Sequence, residues 1–116
     1  MEELVLTIEK ELLTTEVQQF ADEAQKCIDL YSKKNHDYGN SFDKGMDNIG
    51  YSYGIGRIYD KVNRLITLSK FDAIKRTAVV DENIDDTLRD LACYAMMMLA
   101  YRKRECEKEQ SKINFE

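Results

Sequence analysis

The hydrophobic positions of the chain follow a helical period over most of its length. Apolar residues recur at i, i+3, i+4 and i+7 in the segments 15–34, 55–71 and 82–104, and this spacing is typical of helices that bury one face. Residues 4–13 fit either a short helix or a strand, and we favour the helix. The pattern therefore predicts an all-α fold of four main helices in an antiparallel bundle.

The segment 82–104 carries apolar residues on two sides. The residues of one of these sides are expected to lie in the core, and so are the apolar residues on one side of the helix 55–71. A second side of 82–104 carries Tyr94, Met97 and Tyr101, which one small bundle does not easily cover. We therefore expect a homodimer or homotetramer. The predicted core stripes are Ile55, Ile58, Tyr59, Val62, Leu65, Ile66 and Ser69, and then Ile84, Leu88, Leu91, Ala92, Ala95, Met98 and Leu99.

The helical period stops between Asn35 and Gly54. This stretch concentrates most of the glycines together with His36, Asp37 and Tyr38. A break of this length is typical of a functional loop or of short helical turns. It has neither the phosphate-loop signature nor the ligand spacing of a calcium loop. We predict a glycine-rich loop between the second and third helices.

Length and composition fit one all-helical domain. The 116 residues contain no proline, and we expect a motif-bearing core at 15–104 followed by a charged tail, 105–116, that frays. The start of the chain lacks the features of a signal peptide, and no stretch approaches the ~20 apolar residues of a membrane span. We therefore expect a cytoplasmic protein without a membrane partner.

Charge and cysteine content narrow the function. A net charge of −5 argues against general nucleic-acid binding, which needs a basic stripe, although a small anionic ligand still fits a locally basic site. The three cysteines are an odd number without CxxC spacing, which predicts free thiols. Cys27 and Cys93 fall on or near apolar stripes and are expected in the core.

Glu82, Asp86 and Asp90 recur every four residues and so share one helix face. Acids in a first turn offset the helix dipole, which is sufficient to explain Glu82. Asp90 lies beyond that effect, and Asp86 and Asp90 repel each other mildly unless a cation sits between them. Mg²⁺, which takes one or two carboxylates plus substrate phosphates, is such a cation.

A second charged face lies on the helix 55–71, where Arg57, Asp60, Lys61 and Arg64 follow i, i+3, i+4 and i+7 spacing. One interpretation is a surface ladder of ion pairs. The other is that the three basic residues hold phosphates while Asp60 holds the metal. The spacing alone leaves both open.

Three ordered motifs, KNHDYGNSF, GRIYDKVNRLITL and ENIDDTLRDLACYAMMMLAYR, resemble the nucleotide modification associated domain family. The resemblance covers roughly residues 33–104. That family is common in phages and is regarded as a relative of the MazG-like all-helical nucleoside triphosphate pyrophosphatases. The resemblance thus implies a MazG-like helical fold and a nucleotide or nucleotide-derived ligand.

MazG-like enzymes hold Mg²⁺ with an EExxE motif and an ExxD motif, and release pyrophosphate from a nucleotide. Asp86 and Asp90 are similar to the second motif, with a spacing of four instead of three, and would be the catalytic pair. No EExxE occurs here, so the candidates for the remaining metal ligands are Asp60, Asp37 and Glu82. The residues expected to contact the nucleotide are Lys34, Asn35, Asp37, Tyr38, Arg57, Lys61 and Arg64.

The function expected from these observations is a Mg²⁺-dependent (deoxy)nucleoside triphosphate pyrophosphatase of phage or bacterial nucleotide metabolism. Its cleft would form where Asp60, Lys61 and Arg64 meet Asp86 and Asp90. The glycine-rich loop would cover it, with Tyr38 or His36 stacking on the base. Two alternatives stay open. One is a nucleotide-binding protein that sequesters its ligand without cleaving it, and the other is a structural helical adaptor whose acids only cap helices and form ion pairs.

Overall fold

The structure is a computed structural model that describes residues 9–38, 40–74 and 78–115, without the side chains at 37–38, 71–74, 78–82 and 114–115. The described residues contain helices and no strand, which confirms the all-α prediction. None of these helices is long and apolar enough to cross a membrane. A 3₁₀ turn, Lys10–Leu12, precedes the helices α1 (Thr15–Tyr38), α2 (Ser41–Ile49), α3 (Tyr51–Ile74) and α4 (Ala78–Phe115).

The chain divides into two compact units, Met1–Gly39 and Asn40–Glu116. In the first unit, α1 begins where predicted because Thr14 Oγ1 accepts a hydrogen bond from the Val17 N–H at 3.2 Å, a side-chain cap for the first turn. The helix continues four residues beyond the predicted end. The short helix expected at 4–13 is wrong for its described part, which contains only the 3₁₀ turn.

In the second unit, α3 and α4 form an antiparallel hairpin. Position numbers rise along α3 as they fall along α4, so these two helices run in opposite directions. The facing positions are Tyr51 with Tyr101, Gly54 with Met98, Lys61 with Asp90 and Arg64 with Thr87.

The predicted glycine-rich loop is wrong for most of its length, because α2 and the start of α3 occupy it. Gly45 and Gly50 serve packing and helix termination instead. A Cβ at Gly45 would overlap the ring of Tyr53, so the absent side chain lets α2 lie against α3. Gly50 ends α2 with φ of 99°, a backbone conformation that favours glycine.

The core of the second unit lies between α2 and the hairpin. Phe42 and Met46 of α2 are buried, and the Phe42 ring centroid lies 5.7 Å from that of Tyr53 and 6.0 Å from that of Tyr94. The Tyr101 hydroxyl donates a hydrogen bond to Asp47 of α2 at 2.6 Å. The side of α4 that we predicted to lack a neighbour within the chain is therefore the side that α2 packs against.

The core stripes predicted for α3 and α4 are largely exposed, which corrects the sequence interpretation. Tyr59 of α3 is 63% exposed and Leu99 of α4 is 68% exposed. The physical reason is that α2 packs on the other side of the hairpin, where Tyr53 and Tyr94 receive it. The other exposed members are Ile55, Val62, Ile66, Ser69, Leu88, Ala92 and Ala95, whereas Ile58, Leu65, Ile84, Leu91 and Met98 are half-buried.

The charged C-terminal segment is helical and not a frayed tail, since α4 continues to Phe115. Its residues are mostly good helix formers, and Glu105 pairs with Lys108 one turn later at 3.1 Å. The predicted free thiols are confirmed. Cys27 and Cys93 are buried and Cys106 is exposed.

Candidate functional site

Among the described side chains, Lys61 and Arg64 of α3 contact Asp90 and Thr87 of α4, and we call these four residues the α3/α4 seam. Lys61 Nζ lies 3.2 Å from Asp90 Oδ2, and both side chains are 26% exposed. Arg64 Nε–H donates to Thr87 Oγ1 at 3.1 Å. The fold thus brings basic residues of α3 against an acid and a hydroxyl of α4.

Thr87 holds the Arg64 end of this seam in place, because the residue is 2% exposed and its side chain makes two hydrogen bonds. Its hydroxyl donates to the Asn83 carbonyl at 2.6 Å while its oxygen accepts from Arg64. A buried hydroxyl needs such partners, since an unpaired one loses free energy. The sequence analysis did not identify Thr87. The available signal was its position between Ile84 and Leu91, which places a polar residue on the side of the helix predicted to be buried.

Asp60 and Asp86 point toward arginines of their own helices. Asp60 Oδ2 lies 3.1 Å from Arg57 Nη2, and Asp86 Oδ1 lies 3.3 Å from Arg89 Nη1. The carboxylates of both pairs are well exposed. Among the side chains that the structure describes, no three acid, histidine or cysteine groups come together as a metal site.

The donor set for Mg²⁺ can be tested against these positions. Asp86 and Asp90 supply carboxylate oxygens one turn apart on α4, the ligand type that Mg²⁺ prefers, and one or two such ligands are sufficient when substrate phosphates complete the shell. Of the three other candidates, Asp60 pairs with Arg57, and the side chains of Glu82 and Asp37 lie outside the described residues. The backbone of α4 places Glu82 one turn before Asp86.

The first motif, residues 34–42, crosses the boundary between the two units: its first residues form the end of α1, and Ser41 and Phe42 begin α2. Lys34, Asn35 and His36 are exposed on this helix, whereas the side chains of Asp37 and Tyr38 lie outside the described residues. The motif is therefore helical up to Tyr38, and not part of a loop as predicted.

The seam lies on the same face of the hairpin as α2. At about 100° per residue, Arg64 falls within roughly 20° of Tyr53 on α3, and Asp90 within roughly 40° of Arg104 on α4. Tyr53 packs on Phe42 and Arg104 pairs with Asp43, both of α2. The face that α2 covers at one end of the hairpin is therefore continued by the seam toward the other end.

A second set of polar residues connects α2 to α4, and the sequence analysis did not identify these contacts. Asp43 pairs with Arg104 and Asp47 accepts the hydrogen bond of Tyr101. That hydrogen bond, with desolvation and the nearby negative charge of Asp47, raises the pKa of Tyr101 to about 12. The i, i+4 spacing of the two aspartates around Phe42 and Met46 was the signal for an amphipathic helix here.

A comparison with known protein families identifies the family of the chain. The sequence model of the family described as nucleotide modification associated domain 1 matches residues 34–101, more than half of the chain. No curated protein and no solved structure matches the chain. The matched range contains all of α2 and α3 and the seam residues of α4. The chain therefore belongs to the nucleotide modification associated domain 1 family.

Proposed function

We propose that the α3/α4 seam binds the phosphate chain of a nucleotide. The observation that carries this proposal is the contact between Lys61 and Asp90 beside Arg64. A partly exposed ion pair of this kind is worth only about 0.2 to 1 kcal/mol, so a phosphate can take the place of Asp90 as the partner of Lys61 at little cost. Arg64 and Arg57, on the same side of α3, provide the bidentate donors that phosphates favour.

We further propose that the reaction is the Mg²⁺-dependent release of pyrophosphate from a (deoxy)nucleoside triphosphate. Asp86 and Asp90 would hold Mg²⁺, with Glu82, Asp60 and Asp37 as the remaining candidate ligands. The bound ion would supply charge neutralisation and an activated water. The resemblance to MazG-like pyrophosphatases supports this reaction class.

In this proposal the chain's own residues position the substrate. The basic residues of α3 neutralise the phosphate oxygens, which is the main requirement of phosphoryl-transfer chemistry. Asp90 becomes available to the ion when Lys61 turns to the phosphate. Lys34, Asn35, Asp37 and Tyr38 of the first motif are candidates for contact with the nucleoside on the sequence resemblance alone. The setting would be the cytoplasm of a bacterium or of a phage-infected cell.

A second candidate is binding without cleavage, as in a protein that sequesters a nucleotide. It is favoured by the positions of Asp60 and Asp86, which pair with arginines of their own helices and do not form a described three-donor metal site. The phosphate-binding role of the seam is the same in both candidates, and only the chemistry differs.

A nucleotide panel with Mg²⁺ separates the candidates. For each nucleotide, pyrophosphate release and the shift in melting temperature are measured on the same protein preparation, because a ligand that binds the folded state raises the melting temperature. Pyrophosphate release together with a melting shift supports the pyrophosphatase, and a melting shift without release supports sequestration. If neither is observed, the structural adaptor is the remaining alternative.

A further inference from the structure

The hairpin exposes two stripes of apolar residues, one on each helix, which we together call the apolar face. All of its members are exposed, and Tyr59 and Leu99 are exposed by nearly two-thirds. Within each helix the members are spaced by four, three and four residues, which is the heptad spacing of helices that pack against other helices. The apolar face consists of Ile55, Tyr59, Val62 and Ile66 of α3 and Leu88, Ala92, Ala95 and Leu99 of α4.

Both stripes lie on the same side of the hairpin, away from α2. Val62 follows Tyr53 by nine residues, and Ala95 precedes Arg104 by nine. At about 100° per residue, nine residues place two side chains on opposite sides of a helix. Tyr53 and Arg104 contact α2. The apolar face is therefore the back of the hairpin, opposite α2, and the Lys61–Asp90 contact lies off this face.

The composition and size of this surface are those of an interface core. Its eight positions include no charged residue, and charged residues are depleted at interface cores. Its six larger side chains are 39% to 68% exposed, so their accessible area is on the order of hundreds of Å², the scale of the ~800 Å² that each partner buries in a standard specific interface. A contiguous apolar area of this size marks an interaction site, whereas single exposed apolar residues do not.

We propose that the apolar face binds the same face of a second copy of this chain. A two-fold dimer requires a self-complementary surface, and two antiparallel hairpins placed back to back form four helices with heptad stripes facing one another. Ala92 and Ala95 are small and interrupt the α4 stripe at its middle. They leave room for the larger Tyr59 and Val62 of the other copy, because interlocking of large and small side chains fills such an interface.

Sedimentation equilibrium over a range of protein concentrations tests this proposal on the full chain. The expected mass is twice the 13.6 kDa of one chain. Leu99→Lys and Tyr59→Lys each place an unpaired charge in the interface core and should raise the dissociation constant by about a hundredfold or more. Both positions are solvent-exposed in the single chain, so helicity measured by circular dichroism should be retained.

Ile113→Lys is the matched control. Ile113 lies on the same helix and is 65% exposed, against 68% for Leu99, but it is beyond the segment of α4 that faces α3. Its substitution should leave the dimer unchanged. A monomeric parent protein would overturn the proposal. An oligomer that Leu99→Lys and Tyr59→Lys do not weaken, or that Ile113→Lys weakens equally, would overturn it as well.

Discussion

Gly45 shows how one residue sets the distance between two helices. A methyl group at this position would overlap the Tyr53 ring, which also packs on Phe42. We expect Gly45→Ala to lower the free energy of unfolding by about 1 to 3 kcal/mol, the usual cost of overpacking. Urea denaturation measures this change.

Gly56 provides the control, because a Cβ there meets no atom within 4 Å. In the interior of α3, Gly56→Ala should raise the free energy of unfolding by about 0.5 to 1 kcal/mol, since alanine loses less backbone entropy in a helix. Equal effects of the two substitutions would show that helix propensity, and not the contact with Tyr53, decides the role of Gly45.

Tyr101 makes a second prediction at the residue scale. Its pKa is about 12 in the folded chain because of Asp47, against an ordinary value of 10.0. The contribution of this hydrogen bond to the stability of the folded chain is therefore complete below pH 10. It is lost as the pH rises toward 12, because the tyrosine ionises at lower pH in the unfolded chain. Tyr101→Phe should lack this alkaline decline in the free energy of unfolding.

The absorbance of tyrosinate provides the direct readout. One of the seven tyrosines of the parent protein should ionise late, and Asp47→Asn should bring that ionisation to lower pH. If Asp47→Asn leaves the alkaline titration unchanged, the hydrogen bond is not the cause of the raised pKa.

At the scale of elements, the contact between Lys61 and Asp90 distinguishes a ligand-binding pair from a structural one. Both side chains are 26% exposed, so we expect a coupling energy of about 0.5 to 1 kcal/mol in a double-mutant cycle of Lys61→Met and Asp90→Asn, decreasing with added salt. Urea denaturation in EDTA measures it without metal.

The metal arm of the same experiment tests the role of Asp90. Adding Mg²⁺ should raise the melting temperature of the parent protein and have little effect on Asp90→Asn. A structural, buried ion pair would behave differently. Its loss would destabilise the metal-free protein by about 3 kcal/mol or more, and Mg²⁺ would act on parent and variant alike.

The elements also show what the sequence could and could not predict. The long helices follow from spacing, because the helical period is a local property. The contact between Lys61 and Asp90 joins two helices, so it depends on how they pack and not on spacing within either helix. The helix α2 was missed because its glycine suggested a loop, although Gly45 is there for contact with Tyr53. Because α2 determines which side of α4 is covered, missing α2 also led us to predict the wrong side of α4 as buried.

At the scale of the whole second unit, the hairpin has two faces with different chemistry. One carries α2 and the α3/α4 seam, and the other is the apolar face. This division separates the two proposals physically, because a second copy bound at the back leaves the seam accessible to a small ligand. The family membership supports a nucleotide as that ligand, and the basic residues of α3 supply the groups that phosphate requires.

Titration calorimetry of a nucleoside triphosphate into the parent protein, Lys61→Gln and Lys44→Gln tests phosphate binding at the seam most directly. The nucleotide is the one with the largest melting shift in the panel, and Lys44 is an exposed lysine on α2, outside the seam. We predict at least about tenfold weaker binding for Lys61→Gln, the loss of one charge-assisted contact, and unchanged binding for Lys44→Gln. Equal affinities for all three proteins would contradict the account.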